Sequence, residues 1–124
     1  MTLWSDADLA ALEVAPSVVL TVESDDAPSQ EHVEVGTVVV DRMVFVTAYR
    51  GVRSRWFRVA LVVGRGTIAM GPDTYPVRLA DADLARSPVL ARRIRDAYAA
   101  KYRSLGARII TAEAQAATLR IHPE

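Results

Sequence analysis

The chain has 124 residues, close to the commonest size of a single domain, and 51% of them are hydrophobic. It contains no cysteine, which excludes a disulfide framework, a thiolate metal site and a cysteine nucleophile. Its formal net charge of zero gives it little tendency to bind nucleic acid non-specifically.

The first residues lack the basic start and apolar stretch of a signal peptide, and no apolar run approaches the roughly 20 residues that span a bilayer. The sequence therefore predicts a cytoplasmic protein with no membrane partner. Ser5 is placed to cap a helix that runs through Leu12 and ends before Pro16. The β-branched run Val18 to Val22 then predicts a strand.

A second strand is predicted around Gly36, where the alternation of apolar residues changes phase. Val33 and Val35 occupy odd positions, whereas Val38 and Val40 occupy even positions. A β-bulge at Gly36 would restore one continuous apolar face, and glycine tolerates the bulged conformation. The sequence therefore predicts one long, bulged strand here.

The next elements are a tight turn, a strand and a helix. Asp41 and Arg42 connect the bulged strand to a strand over residues 43–49, which predicts an antiparallel pair. Gly64 and Gly66 mark the end of the helix that follows. The apolar positions of this helix recur at helical spacing and are Trp56, Phe57, Ala60 and Leu61.

The C-terminal half predicts a hairpin, a long helix and a last strand. Residues 67–70 and 74–79 flank a turn at Gly71, and Pro76 marks an edge or bulged strand. Ser87 and Pro88 open the longest helix, with an apolar stripe to Leu105 and a stop at Gly106. Thr111 begins one more helical turn, and residues 117–122 form a strand. The order predicts one α+β domain over residues 1–124, a six-stranded, mainly antiparallel barrel with peripheral helices.

Charge is distributed unevenly along this domain. Residues 1–41 contain nine acidic residues and no Lys or Arg, whereas residues 42–72 contain six arginines and no acid. Arg50, Arg53 and Arg55 lie where a strand ends and a helix begins, together with Gly51 and Ser54. The unpaired N–H groups of a helix start and forked guanidinium donors both suit phosphate. This segment is therefore either an anion site or a surface whose arginines face water or pair with the acidic N-terminal third.

The stretch from Met43 to Leu61 resembles the flavin-binding split β-barrels, the pyridoxamine-phosphate-oxidase-like proteins and the deazaflavin (F420)-dependent reductases. In combination with residues 64–68, 96–102 and 117–121 it is similar to the uncharacterised bacterial family DUF2255. The resemblance implies a split β-barrel and a homodimer, because such barrels usually build their site across a two-fold interface.

The resemblance also implies site residues. The residues at the phosphate-binding positions are Arg50, Gly51, Arg53, Ser54 and Arg55. Thr47 and Tyr49 fall at the strand end, near the ring system or ribityl chain. Trp56 matches an aromatic residue at the start of the helix, with packing in the core as its other interpretation. Split barrels that use FMN often have further basic or polar contacts near the C-terminus, and only Arg120 and Arg108 could serve that role in this sequence.

The first functional hypothesis is a flavin-type oxidoreductase that uses FMN or F420 and acts on a small-molecule substrate. The alternative keeps the barrel as a cofactor-free small-molecule-binding protein or as a cyclase or isomerase. Tyr49 is the best candidate for a proton donor, because it is the polar aromatic residue nearest the proposed site. A hydride-transfer protein needs little other acid–base machinery, since the cofactor supplies the chemistry. The two histidines, His32 and His122, lie far apart in the sequence, and with no cysteine and no clustered His/carboxylate spacing no metal site is predicted. Nucleic-acid binding is disfavoured by zero net charge and an aromatic content of 6%.

Overall fold

A computed structural model describes residues 3–23, 30–103 and 111–124. These residues form seven strands and four α-helices. The strands are β1 (Val18–Glu23), β2 (Gln30–Val35), β3 (Thr37–Val40), β4 (Met43–Thr47), β5 (Arg65–Met70), β6 (Asp73–Asp81) and β7 (Thr118–Pro123). The helices are α1 (Asp6–Val14), α2 (Arg55–Val63), α3 (Pro88–Lys101) and α4 (Ala112–Ala116), and 3₁₀ turns cover Gly51–Arg53 and Leu84–Arg86.

The seven strands form one curled antiparallel sheet in the order β2-β1-β5-β6-β7-β4-β3. Strands β2 and β3 lie at opposite ends of this order, although Gly36 alone separates them in the chain. The chain therefore joins the two edges of the sheet, which curls into a half-barrel. The fold is α+β with helices at the periphery, as predicted, but it has seven strands rather than six.

The predicted bulge at Gly36 is wrong, and the reason is a change in what covers the strand. Val35 packs in the main core, as does the partly buried Val39, so odd positions continue on the same face. Val38 and Val40 pack on the opposite face, in a second cluster with Ile94 of α3. The apolar pattern changes because both faces of β3 pack against other elements. The extra residue of a bulge is therefore not needed to explain it.

The turn at Asp41 and Arg42 is confirmed. Both residues have positive φ angles, 52° and 64°, and Val40 pairs with Met43 across the turn. This is the geometry of a type I′ hairpin turn. The Arg42 guanidinium lies 2.7 Å from the Asp6 carboxylate of α1, so this arginine does pair with the acidic N-terminal third.

Helix α2 is also confirmed, with one error in its apolar stripe. Phe57 and Ala60 are buried, and Gly64 ends the helix with φ at +73°, a left-handed conformation that favours glycine. Leu61, predicted to be part of the stripe, is 41% exposed. The buried face of α2 is therefore narrower than its sequence indicates.

Pro76 lies in an interior strand rather than an edge or bulged strand, because β6 pairs with β5 and with β7. The pairing with β7 ends at Pro123, opposite Val77. The Pro76 carbonyl accepts from the N–H of Glu124, so the imide nitrogen of Pro76 also faces this end of β7. The missing N–H donor of Pro76 therefore falls where the ladder stops.

The helices predicted near both termini are present. Ser5 caps α1 by accepting from the N–H of Asp8, and Thr111 caps α4 by accepting from the N–H of Ala114. Helix α3 ends at Lys101; the predicted continuation to Leu105 and the stop at Gly106 lie outside the described residues. Within the described part of the chain, no helix is long and apolar enough to cross a membrane.

Candidate functional site

A cavity of about 630 Å³ lies beside β2, at the edge of the sheet. Residues 32–36, 47–50 and 54–56 line it, together with Pro16, Ser17, Tyr98 and Tyr102. Residues 32–35 are four consecutive residues of β2, whose side chains point alternately to both faces of the sheet, so all four meet one cavity only along the edge of the strand. The cavity is therefore the gap between the outer edge of β2 and the segment that follows β4, residues 48–56.

The structure brings together six of the eight predicted site residues on the cavity wall. These are Thr47, Tyr49, Arg50, Ser54, Arg55 and Trp56. Gly51 and Arg53 are the other two, and they do not line the cavity. Gly51 is buried at φ +81°, and its N–H donates to the Ala48 carbonyl over 2.8 Å, so this glycine serves the turn between β4 and α2.

The cavity has a cationic side at the start of α2. Arg50 and Arg55 are exposed and contribute to the wall, and the Arg50 guanidinium lies 5.7 Å from the centre of the Tyr49 ring. Among the described residues, no carboxylate lies within ion-pair distance of Arg50 or Arg53. Asp6 of the acidic N-terminal third thus pairs with Arg42, whereas Arg50 and Arg53 are exposed.

Ser54 is the N-cap residue of α2, yet its hydroxyl makes no capping bond to any described backbone N–H. The first turn of α2 contains no acidic residue, and its backbone N–H groups have no partners within the helix. Helix starts of this kind carry partial positive charge. The start of α2 therefore brings the Ser54 hydroxyl and a partial positive charge to the cavity wall.

Thr47 lines the cavity but uses its hydroxyl inside the protein. Its Oγ1 lies 2.8 Å from Oγ1 of Thr118, and the Thr118 hydroxyl donates to the Gln115 carbonyl over 2.9 Å. Because a hydroxyl has one proton, Thr47 is the donor in the contact between the two threonines. The side chain predicted to reach the ring system is thus committed to the β4–β7 pair.

Trp56 is half-buried on the cavity wall and meets the ring of Phe57 edge-on, with 6.2 Å between the ring centres. It packs against the main core, which supports its interpretation as a core anchor, while part of the ring faces the cavity. The ring can therefore act as a core anchor and still contact a ligand in the cavity.

Tyr98 and Tyr102 form the part of the wall that sequence analysis missed. Their rings pack 5.8 Å apart, Tyr98 donates to the Gly36 carbonyl over 2.7 Å, and Tyr102 donates to the Pro16 carbonyl over 2.7 Å. Burial raises the pKa of Tyr98, so its hydroxyl stays protonated. Two tyrosines four residues apart on one helix face were the available signal, and the sequence did not show that this face meets the strand junction at Gly36.

The wall formed by β2 and the residues just before β1 carries further polar groups. The Ser17 hydroxyl donates to the Glu34 carboxylate over 2.7 Å, and the Thr21 hydroxyl lies 2.9 Å from Nδ1 of His32. Both Glu34 and His32 line the cavity and are exposed. Among the described residues, no three His, Asp or Glu side chains lie close enough to hold a metal ion.

Comparisons with known proteins place the chain at the level of fold and family. No curated protein matches it. One solved structure superposes with a TM-score of 0.62 at 13% sequence identity, and the match covers 99% of this chain and 85% of that one. At this identity the likeness concerns the fold alone. The model of DUF2255, described as an uncharacterized protein conserved in bacteria, matches residues 8–121, and the chain therefore belongs to that family.

Proposed function

We propose that the cavity binds a flavin-type cofactor, FMN or the deazaflavin F420, and that the protein is an oxidoreductase for a small-molecule substrate. One observation carries the proposal: the donor-rich start of α2 opens into a cavity with aromatic and apolar walls. A phosphorylated ligand with a planar ring needs this combination of charge and shape. Membership of the split-barrel superfamily, inferred from sequence resemblance, is part of the same proposal.

The residues on the cationic side fit a phosphate. Arg50 and Arg55 offer forked N–H donors, Ser54 offers a hydroxyl, and the first turn of α2 offers backbone N–H groups. Arg53 lies outside the wall, so the phosphate site is smaller than the one expected from sequence. Guanidinium groups without a carboxylate partner gain most from a bound anion, and Arg50 meets this condition among the described residues.

The remaining walls fit a ring system. Val33, Val35, Ala48 and Trp56 supply apolar and aromatic surface next to the arginines. A volume of about 630 Å³ lies within the range of roughly 300–1,000 Å³ that is usual for cofactor and ligand sites. A bound flavin supplies hydride transfer, and the protein then has to bind the ring, orient it and limit the access of water. Tyr49, 52% exposed on the wall, is the candidate for delivering a proton to substrate.

We further propose a homodimer, in line with the resemblance to split barrels. Helix α2, which starts at the cavity, and the turn before it expose apolar side chains, with Val62 87%, Val52 45% and Leu61 41% exposed. Burial of these side chains against a second copy would remove apolar surface from water and bring the partner close to the cavity mouth.

The test is a fluorescence titration of the purified protein with FMN and with F420, after inspection for absorbance in the flavin region. We expect saturable binding of one of them. Arg55→Ala should weaken it by about 1.5–3 kcal/mol, the usual effect of losing a hydrogen bond to a charged group. Arg53→Ala is the matched control, because it removes the same side chain two residues away from a position outside the wall.

Equal effects of the two arginine variants would contradict the assignment of the phosphate to the start of α2. If neither cofactor binds at concentrations well above micromolar, the flavin proposal fails. The cofactor-free alternative then becomes the better interpretation of the same cavity.

A further inference from the structure

The hydrogen-bonded pairing of β3 with β4 ends one residue pair earlier than its register would allow. Thr37 pairs with Val46, so the next residues to face each other are Gly36 and Thr47. They do not bond to each other. The Tyr98 hydroxyl of α3 stands between them, donating to the Gly36 carbonyl over 2.7 Å and accepting from the Thr47 N–H over 2.9 Å.

This hydroxyl replaces one ladder bond with two bonds in series. A direct N–H···O bond has a donor–acceptor distance of about 2.9 Å, so the inserted oxygen holds the two strands much farther apart than a ladder would. Beyond this point the two segments separate. The Ala48 N–H donates to the Ala117 carbonyl, just before β7, and the Gly51 N–H donates back to the Ala48 carbonyl. The cavity begins where the separation begins.

If the ladder continued instead, it would cross the cavity. In an antiparallel pair, alternate residues exchange hydrogen bonds, so after Gly36 and Thr47 the next bonded pair in this register is Glu34 with Tyr49. Both of these residues line the cavity. Continued pairing of these two segments would therefore occupy the space in which a ligand is proposed to bind.

Several contacts fix the Tyr98 hydroxyl in place. Tyr98 is 1% exposed, and its ring packs on Tyr102, which is itself anchored to Pro16. A Cβ atom at Gly36 would lie 2.8 Å from the Tyr102 ring, so any other residue at this position would require that ring to shift. Lys101 holds the same end of α3 by donating to the carbonyls of Leu12 and Thr37 over 2.9 and 2.6 Å.

We propose that Tyr98 is a positioning residue that keeps the cavity open by interrupting the β3–β4 ladder. The hydroxyl satisfies the Gly36 carbonyl and the Thr47 N–H, which would otherwise bond to each other, so the strands separate here without leaving either of these two groups unpaired. The consequence for binding rests on the proposed function, whereas the consequence for strand pairing does not.

The test compares Tyr98→Phe with Tyr102→Phe, which removes a hydroxyl from the same aromatic pair without touching the ladder. With the hydroxyl of Tyr98 gone, Gly36 and Thr47 are expected to pair directly. An NMR cross-peak between their two amide protons, the signature of a bonded antiparallel pair, should then appear in Tyr98→Phe and be absent from wild type and Tyr102→Phe. Titration with FMN and F420 should show at least tenfold weaker binding by Tyr98→Phe.

An amide–amide cross-peak between Gly36 and Thr47 in the wild-type protein would overturn the proposal, and so would its absence from a folded Tyr98→Phe. If Tyr98→Phe does not fold, the wild-type protein decides: a cross-peak from the Tyr98 hydroxyl proton to the Thr47 amide supports the inserted hydroxyl. Its absence overturns it. If the ladder closes in Tyr98→Phe while neither cofactor binds wild type, the proposed function fails and the role of Tyr98 in strand separation stands.

Discussion

Replacement of Thr47 by valine separates a structural role from a binding role at the cavity wall. The Thr47 hydroxyl is expected to donate to Thr118, which donates in turn to the Gln115 carbonyl. Thr47 is 7% exposed and Thr118 is 1% exposed, so neither hydroxyl has ready access to water. Thr47→Val removes one hydrogen bond but leaves only an acceptor lone pair on Thr118 without a partner. The expected loss in the free energy of unfolding is about 1 kcal/mol.

Thr118→Val is the informative companion, because it breaks both bonds. The donor of Thr47 and the carbonyl of Gln115 lose their partners, and the expected loss is about 2–3 kcal/mol. The double variant should cost less than the two single variants together, since both remove the same bond between the threonines. Urea unfolding followed by circular dichroism measures all three values, with the slope m as a check that the unfolded state is unchanged.

Ligand titration of the same variants completes the test. Thr47→Val should bind FMN or F420 as tightly as wild type, because its hydroxyl already has an internal partner. Tenfold weaker binding with unchanged stability would refute this reasoning. Such a result would mean that the Thr47 hydroxyl contacts the ligand, as the sequence resemblance implied.

Three further predictions concern stability. Gly66→Ala places a Cβ atom 2.2 Å from the Thr21 carbonyl oxygen, a backbone contact that side-chain motion does not relieve. The free energy of unfolding, measured by thermal denaturation, should therefore fall by more than about 2 kcal/mol. A fall below about 0.5 kcal/mol would contradict the close packing of β1 and β5. Ser5→Ala should lower the free energy of unfolding in urea by about 1 kcal/mol, because Ser5 caps α1. Ser54→Ala should lower it much less, because Ser54 makes no capping bond, but should weaken ligand binding. A larger loss of stability in Ser54→Ala than in Ser5→Ala would refute the assigned roles. Above about pH 10 stability should fall, because burial raises the pKa of Tyr98 and the folded state keeps a proton that the unfolded chain releases. Tyr98→Phe should reduce this alkaline slope in unfolding measured from pH 9 to 11, and an unchanged slope would contradict the burial of the hydroxyl.

Local features of the fold were predictable from sequence because they depend on neighbouring residues. The cap at Ser5, the turn at Asp41 and Arg42 and the stop of α2 at Gly64 each follow from the geometry of a few adjacent positions. Their physical causes lie within one turn of chain. The structure reproduces them with small differences in boundary.

The strand around Gly36 shows where this reasoning failed. The apolar pattern of β2 and β3 records which faces are covered, and the cover of β3 comes from α3, more than 40 residues later in the chain. A bulge and a second covered face leave the same pattern in one sequence. Only the packing of Ile94 and Tyr98 against Val38 distinguishes them.

The candidate site divides in the same way. Arg50, Ser54 and Arg55 were predicted from their own segment, and they line the cavity. Tyr98 and Tyr102 were not, because their role depends on a tertiary contact with Gly36 and Pro16. Arg53 was predicted with the other arginines, but the 3₁₀ turn at Gly51–Arg53 directs it away from the wall, and charge spacing alone does not reveal that turn.

The most direct test of the anion site uses the phosphate itself. Binding of FMN and of riboflavin, which lacks the phosphate, is compared in wild type and in Arg55→Ala; F420 and its phosphate-free deazaflavin core form the parallel pair. Wild type should prefer the phosphorylated ligand by at least tenfold, and Arg55→Ala should lose most of that preference. Equal affinity of wild type for both members of each pair, or a preference that survives in Arg55→Ala, would contradict a phosphate site at the start of α2.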